Sequence, residues 1–399
     1  MIGSEAKKNN NGVMLIASLH ARWLMVLPVL GLSLALVGAS SAANTIAVPA
    51  PTGVYKVGTT VVRLVGKPDS LHLAGSGPRE LLVRVWYPTY IRQGCRPAPY
   101  ADPKVWAYVS QIAGLELPKV RTNSCQNAPV MNRAFPVIVL THGYTGMFTD
   151  YTFLSEDLAS RGYLVVSIGH TYESTALEFP DGRLVTSVFG SQFSPAGLRD
   201  DVRSLLLARS MRLADLNLVL DELKRLNSTG SLAGSFDLSR VGVVGHSLGG
   251  EVAISMLEKD SRLNAAIILD ADISAASTKG TDKPLFLLAA GRQQWKTREC
   301  ELWRNLAGPR LVVNLRGAEH LTVSDAIWLR RAVPQLNARS GAMPIETTIS
   351  AIREYVAAFF GANLRHEPRR SLLNGSTTRF SGAMVTTQNQ PLCGETVSR

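Results

Sequence analysis

Short apolar runs rich in β-branched residues recur along this chain, separated by stretches in which apolar positions return every three or four residues. Val54 to Leu64 and Glu80 to Tyr87 are the first two runs, divided by a loop holding Gly66, Pro68, Gly75, Gly77 and Pro78; they predict an antiparallel pair at one sheet edge. Between Pro88 and Arg133 the pattern breaks into a polar, proline-containing loop with one short helix, Pro103 to Ile112. Phe135 to Leu140 is wholly apolar, as a strand buried on both faces must be. A helix from about Asp150 carries Phe153, Leu154 and Leu158 on one side and stops at Gly162, and Tyr163 to Ile168 is the next strand. From His170 to Phe193 no period is visible. Ser194-Pro195 is a helix start opening onto Leu198 to Leu226, where Leu213, Leu216, Leu220 and Leu223 form one core-facing stripe. A strand at Val241 to Gly245 leads into a helix with Val252, Ile254, Met256 and Leu257. Strands at Ala265 to Leu269, Pro284 to Leu288 and Arg310 to Leu315 and a closing helix, Ile345 to Phe360, follow. Beyond Arg365 the chain is polar, basic and aperiodic, which predicts a poorly ordered tail.

Alternating strands and helices predict an α/β fold: a mostly parallel central sheet with helices on both faces and an antiparallel N-terminal edge. Sites in such sheets lie at the carboxyl ends of the strands. With 399 residues, 46% of them apolar, one large core can be filled. At the amino terminus Lys7, Lys8 and Arg22 precede the apolar run Trp23 to Val37, and the small residues Ala39, Ser40, Ser41, Ala42 and Ala43 follow. This reads as a secretory signal peptide, leaving residues 44–364 as the folded domain and 365–399 as the tail. A membrane anchor fits less well, because the run is short and contains Pro28 and Gly31. Export, whether periplasmic or extracellular, permits disulfides. Cys95 and Cys125 bracket one insertion and should pair, which leaves Cys300 for Cys393. No two cysteines sit at zinc-ligand spacing, so no metal is expected. The net charge of +11 is not gathered on one helix or interleaved with aromatics, so no nucleic-acid partner is expected either.

The chemistry centres on Gly245-His246-Ser247-Leu248-Gly249-Gly250, a strand that runs through a sharp turn into a helix. Such a nucleophile elbow lifts a strained serine clear of the sheet, and only glycines fit beside it. A serine hydroxyl needs a base, and the base needs an acid to hold its tautomer; in the α/β-hydrolase fold both follow the serine in the order acid, base. Of the later histidines, His366 sits past the closing helix, whereas His320 directly follows the last strand, so His320 is the base. The strand at Pro284 to Leu288 runs into Ala289 to Trp295 with no carboxylate nearby. Asp270 follows the preceding strand and is the expected acid, with Asp272 as its alternative. The oxyanion donors are the amides of Leu248, after the nucleophile, and Tyr144, in the loop His142-Gly143-Tyr144. His142 and His246 read as loop-packing residues, and His170, at the end of its strand, is open between a structural polar group, the favoured reading, and a substrate contact.

With these residues in place the chain resembles the plasma-type platelet-activating factor acetylhydrolases. The resemblance rests on Thr141-His142-Gly143, Asp157 to Tyr163 leading to His170, the elbow, Leu269-Asp270-Ala271 and Arg316-Gly317 to His320. It implies a calcium-independent serine esterase, needing no cofactor, that cleaves short or oxidised acyl chains from phospholipids, with Ser247, Asp270 and His320 as triad and Tyr144 and Leu248 as oxyanion donors. Its partner would be a small or lipid ester, with peripheral contact to a lipid surface. Bacterial cutinase-like polyester hydrolases are the rival resemblance, through Gly143-Tyr144-Thr145-Gly146, but they carry the acid after the later strand, where Arg292 stands here. A lipase-like triglyceride hydrolase or a silent hydrolase fold used for binding are further alternatives. Residues Thr171 to Gly197, which depart from the acetylhydrolase pattern, are expected to line the acyl pocket.

Overall fold

A computed structural model describes residues 45–68, 77–91, 94–194, 197–336, 341–376 and 379–393; the leader expected over residues 1–43 lies outside them. A twelve-stranded sheet forms the frame. Its strands in chain order are β1 (Thr45–Ala47), β2 (Lys56–Pro68), β3 (Pro78–Thr89), β4 (Pro97–Pro99), β5 (Lys119–Gln126), β6 (Phe135–Thr141), β7 (Leu164–Gly169), β10 (Phe236–His246), β11 (Leu263–Leu269), β12 (Leu285–Ala290), β13 (Arg310–Leu315) and β14 (Ala383–Thr387). A separate hairpin holds β8 (Ala176–Glu178) and β9 (Leu184–Thr186). The central strands run in the order β7, β6, β10, β11, β12, β13 and are all parallel. Their register aligns Thr141 with Gly245, His246 with Leu269, and Ala290 with Leu315. Every loop leaving these strands therefore emerges at one edge of the sheet.

The helices are α1 (Pro103–Ala113), α2 (Thr152–Ser160), α3 (Val202–Ser228), α4 (Leu248–Lys259), α5 (Thr297–Asn305), a single turn α6 (Ala326–Leu329) and α7 (Ile345–Leu364). Side chains that alternate along β6 send Ile138 and Leu140 to one face, with α2 and α7, and Val137 and Val139 to the other, with α3 and α4. Two apolar layers result, which is why the central strands read as continuous apolar runs. None of the helices in the described residues is long and apolar enough to cross a membrane.

Three expectations change, and one helix is unforeseen. The antiparallel pair β2 and β3 is not the sheet edge, because the insertion after residue 88 supplies β5, which lies parallel to β2 and carries β1 and β4 beside it. Helix α3 starts at Val202, later than Ser194-Pro195, with the Asp201 carboxylate accepting the Ser204 amide as its cap. Helix α5 had no forecast, since three of its nine residues, Glu299, Leu302 and Trp303, are its only buried ones. The described residues after Arg365, 366–376 and 379–393, are not a loose tail: β14 pairs antiparallel with β13, and Leu392 packs into the core. A five-residue edge strand has too few alternations to be read from its pattern; it is ordered by its ladder to β13 and by a disulfide. The two expected bridges, Cys95–Cys125 and Cys300–Cys393, are both present, the second tying the C-terminal segment to α5.

Candidate active site

Strand β10 delivers Ser247 at the sheet edge with φ 53° and ψ −124°, a backbone region that costs an L-residue roughly 1–3 kcal/mol. The turn closes only because its neighbours lack side chains. A Cβ on Gly245 would lie 2.1 Å from the Gly249 carbonyl oxygen, and one on Gly249 2.4 Å from that of Thr141 on the adjacent strand. The Leu248 and Gly249 amides that open α4 have no intrahelical acceptors and carry the positive end of the helix dipole beside the serine.

Asp270 leaves β11, itself at φ 41°, and its Oδ2 accepts from His320 Nδ1 at 2.7 Å. Oδ1 accepts the Ala290 amide at 3.0 Å and faces Arg292 Nε at 3.5 Å. Burial alone would raise the carboxyl pKa, but the His320 and Ala290 hydrogen bonds and the charges of His320 and Arg292 outweigh it and hold Asp270 below its ordinary value. An ionised carboxylate only accepts, so Nδ1 of His320 bears the proton and Nε2 of the neutral ring keeps its lone pair. Asp272 is not in this arrangement: it is exposed and pairs with Lys296 at 2.7 Å. Arg292, in the loop where the rival family carries its acid, donates to Glu299 and to the Ala271 carbonyl and braces Asp270 from behind.

Ser247, Asp270, His320, Tyr144 and Leu248 all line one cavity of about 860 Å³. Among the described residues, neither the Tyr144 nor the Leu248 amide donates to a protein acceptor. The Tyr144 ring forms part of the wall, packed on Phe189 at 5.6 Å, with its hydroxyl donating to the Arg199 carbonyl at 2.5 Å. Most of the remaining wall comes from places the chain did not announce: Trp106, Val109 and Leu117 of the bridged insertion, Leu205 of α3, and Leu329 and Leu336 after the last parallel strand. From 171–197 only Gln192 and Phe193 among the described residues reach the cavity. Within the same region Leu177 and Phe179 pack instead on Leu82 and Phe148.

Among the described residues three histidines are buried, and each is satisfied through both ring nitrogens. His170 meets Asp215 and Thr141, each at 2.9 Å, and His142 meets Ser174 and the Gly143 carbonyl, each at 2.8 Å. His246 receives the Tyr151 hydroxyl at 2.6 Å and donates from Nε2 to the His320 carbonyl at 3.0 Å, its ring lying 4.5 Å from that of His320. Burial first, and then the charge of His320, press His246 down to about 3 against the pull of Asp270. A depressed folded pKa contributes stability that is whole above the unfolded value, about 6.5, and is lost as the pH falls below it, because only the unfolded chain then takes the proton. Asp150 and Asp325, raised to about 7 chiefly by burial, act with the opposite sign and favour the folded state as the pH falls from 7 towards 4. The contribution of one residue therefore shows best in a difference. Between pH 7 and 5, wild type should lose about 2 kcal/mol more than His246→Asn in urea unfolding, the cost of keeping one imidazole neutral 1.5 pH units below about 6.5. Equal losses would show that this histidine is not held neutral.

Residues 138–389 match the model of the alpha/beta hydrolase family, and residues 41–180 that of platelet-activating factor acetylhydrolase, isoform II. The platelet-activating factor acetylhydrolase of Canis lupus familiaris is 25% identical over 233 residues, 52% of each chain. Cutinase est1 of Thermobifida alba is 28% identical over 141 residues, 35% of this chain and 36% of the cutinase. The chain thus spans about half the length of the canine relative and about a third of the cutinase. Among solved structures, a ferulic acid esterase from Streptomyces cinnamoneus superimposes with a TM-score of 0.73 at 30% identity, covering 87% of this chain and 99% of that one. Elbow, parallel sheet and matched span agree: this chain belongs to the α/β-hydrolase family, and within it is like the platelet-activating factor acetylhydrolases.

Proposed function

We propose that the protein is an exported serine esterase that hydrolyses carboxylic esters through Ser247, His320 and Asp270. The observation that carries this reading is the 2.7 Å bond from His320 Nδ1 to Asp270 at the rim of the cavity that also holds the strained Ser247. In the reaction, Nε2 of His320 takes the hydroxyl proton as Ser247 Oγ attacks the ester carbon. The oxyanion of the tetrahedral intermediate accepts from the Tyr144 and Leu248 amides. Its collapse breaks the ester C–O bond, and His320 returns the proton to the departing alcohol. Water, deprotonated by the same imidazole, then attacks the acyl-enzyme, and the acid leaves. No cofactor enters these steps. That its relatives include an acetylhydrolase, a cutinase and a ferulic acid esterase supports ester cleavage as the reaction class. Two disulfides suit an oxidising compartment and support export.

The acyl side of the substrate follows from the cavity walls. Trp106, Val109, Leu117, Leu205, Leu329 and Leu336 make an apolar space much larger than an acetyl group needs. Exposed Val202 and Leu206 at its mouth would meet an apolar substrate before it enters. A p-nitrophenyl ester series tests this, with an sn-2 acetyl phospholipid, a feruloyl ester and an aliphatic polyester alongside. Each methylene buried is worth about 0.8 kcal/mol, so kcat/KM should climb roughly two- to fourfold per carbon from acetate to at least hexanoate. No turnover of any of these esters would end the esterase reading; a strict preference for acetate would leave the chemistry intact and show the cavity filled by something other than the acyl chain.

A further inference from the structure

Helix α3 carries its leucine stripe as the sequence foretells, but the same buried face also holds Arg212, whose side chain is wholly inaccessible to water. An arginine brought that deep costs several kcal/mol unless its donors are used. The destinations of those donors are informative. Nη1 donates to the carbonyl of His142 and lies 3.3 Å from Thr141 Oγ1. Nη2 donates to the Gly143 carbonyl at 2.8 Å and to Glu173 Oε1 at 2.7 Å, and stands 3.1 Å from His142 Nδ1. The same Glu173 oxygen accepts the Thr145 amide at 2.7 Å, and Glu173 is as fully buried as its partner. Three peptide units of one short loop, those of residues 142, 143 and 145, are thus gripped from behind by one ion pair.

The grip has a direction. In a trans peptide the carbonyl and the next amide point to opposite sides. With the Gly143 oxygen turned to Arg212, the Tyr144 N–H of that same peptide must point away from Arg212. On that far side lies the elbow: a Cβ on Gly143 would stand 2.9 Å from His246 Nδ1 and 3.6 Å from Ser247 Cβ. A turn bond from the Gly146 amide to the Gly143 carbonyl, 2.9 Å, and the His142 ring beside that carbonyl shape the loop locally, and Thr145 sits at φ 51°. Ser174 and Thr175, after β7, also bond the loop, through His142 Nε2 and through the Thr145 and Gly146 carbonyls, but the bond that reaches the Gly143 carbonyl from outside the loop comes from Arg212.

We infer that Arg212, with Glu173 behind it, is a positioning residue that aims the Tyr144 amide at the oxyanion. This rests on the esterase reading above. Removing a whole oxyanion donor costs about 10²–10³ in kcat, so a donor left in place but misaimed should cost about 10- to 100-fold. The test uses the full-length protein, a chromogenic ester and a trifluoromethyl ketone, which adds to the serine and leaves an oxyanion where the intermediate has one. Active sites are counted by phosphonate titration. Arg212→Lys keeps a cation but loses the two-pronged hold; it should lower kcat per titrated site and the affinity for the ketone by the same factor, with KM changed less than threefold. Glu173→Gln keeps the shape and weakens the brace, and should shift both quantities the same way by about tenfold; it carries the test if Arg212→Lys does not fold. A merely structural ion pair would lower the unfolding temperature and the number of titratable sites while leaving kcat per site and ketone affinity unchanged, and that result overturns the inference. Failure of wild type to turn over the ester or bind the ketone would instead count against the esterase reading itself.

Discussion

Ser247→Ala should lower ester turnover by about 10⁴-fold or more while the protein keeps its fold, and His320→Ala should do the same. Alanine can occupy the serine's backbone conformation as readily as serine does, so the elbow at φ 53° and its fit to Gly245 and Gly249 survive and only the oxygen is lost. In His320→Ala the serine keeps its oxygen but no base is left to take the proton. The double variant should be hardly slower than either single one, because nucleophile and base act in one proton transfer and neither works without the other. Residual turnover in all three would come from the Tyr144 and Leu248 amides and from substrate binding. Steady-state kinetics on a p-nitrophenyl ester, with circular dichroism to verify folding, decides the matter; near wild-type activity in Ser247→Ala would remove the serine from the mechanism.

The second large effect belongs to the acid. In Asp270→Asn the amide has only one sensible orientation, because the Ala290 N–H, 3.0 Å from Oδ1, still requires an acceptor there. The NH₂ group is then left facing His320 Nδ1. Two donors cannot share that contact, so the ring must give up its Nδ1 proton and carry it on Nε2, the nitrogen that has to accept from the serine. In serine proteases the same exchange costs roughly 10⁴ in kcat, and a loss of that order is expected here with KM little changed. Asp272→Asn should stay within about twofold, since its side chain is exposed and holds only Lys296 and, at 3.5 Å, Arg292. A crippled Asp272 variant beside an active Asp270 variant would move the acid by two residues. Loss in neither would take the acid out of this loop altogether.

How far these residues could be read in advance differs from one to the next for physical reasons. Ser247, with its flanking glycines, declares itself because the elbow's constraint is local: a strand, a turn too tight for Cβ atoms and a helix leave their marks within ten consecutive residues. The parallel core strands are as plain, since burial on both faces leaves no choice but unbroken apolar runs. His320 and Asp270 were legible by a weaker route, from strand order and the rule that sites gather at carboxyl ends. What separates Asp270 from Asp272 in space is the 2.7 Å contact with His320, which joins residues 50 positions apart.

Arg212 shows where such reading stops. Among leucines and arginines on a long helix it looks like one more solvated charge, and nothing near it in sequence betrays that its partners are carbonyls 69 and 70 residues away and a glutamate 39 away. The cavity wall is hidden for the same reason: Trp106, Leu205 and Leu329 belong to three separate segments and form a surface only when the sheet brings those segments together. The final strand, β14, is another such case, because an edge strand takes its order from the ladder it joins rather than from its own five residues. By itself, then, the sequence determined the layered α/β architecture, the elbow and the residues that follow each strand into the site, since each depends on local sterics or on periodic burial. Only the tertiary structure decided which carboxylate meets the histidine, what walls the pocket and what steadies the loop behind it, since those are distances between segments that the chain order leaves free.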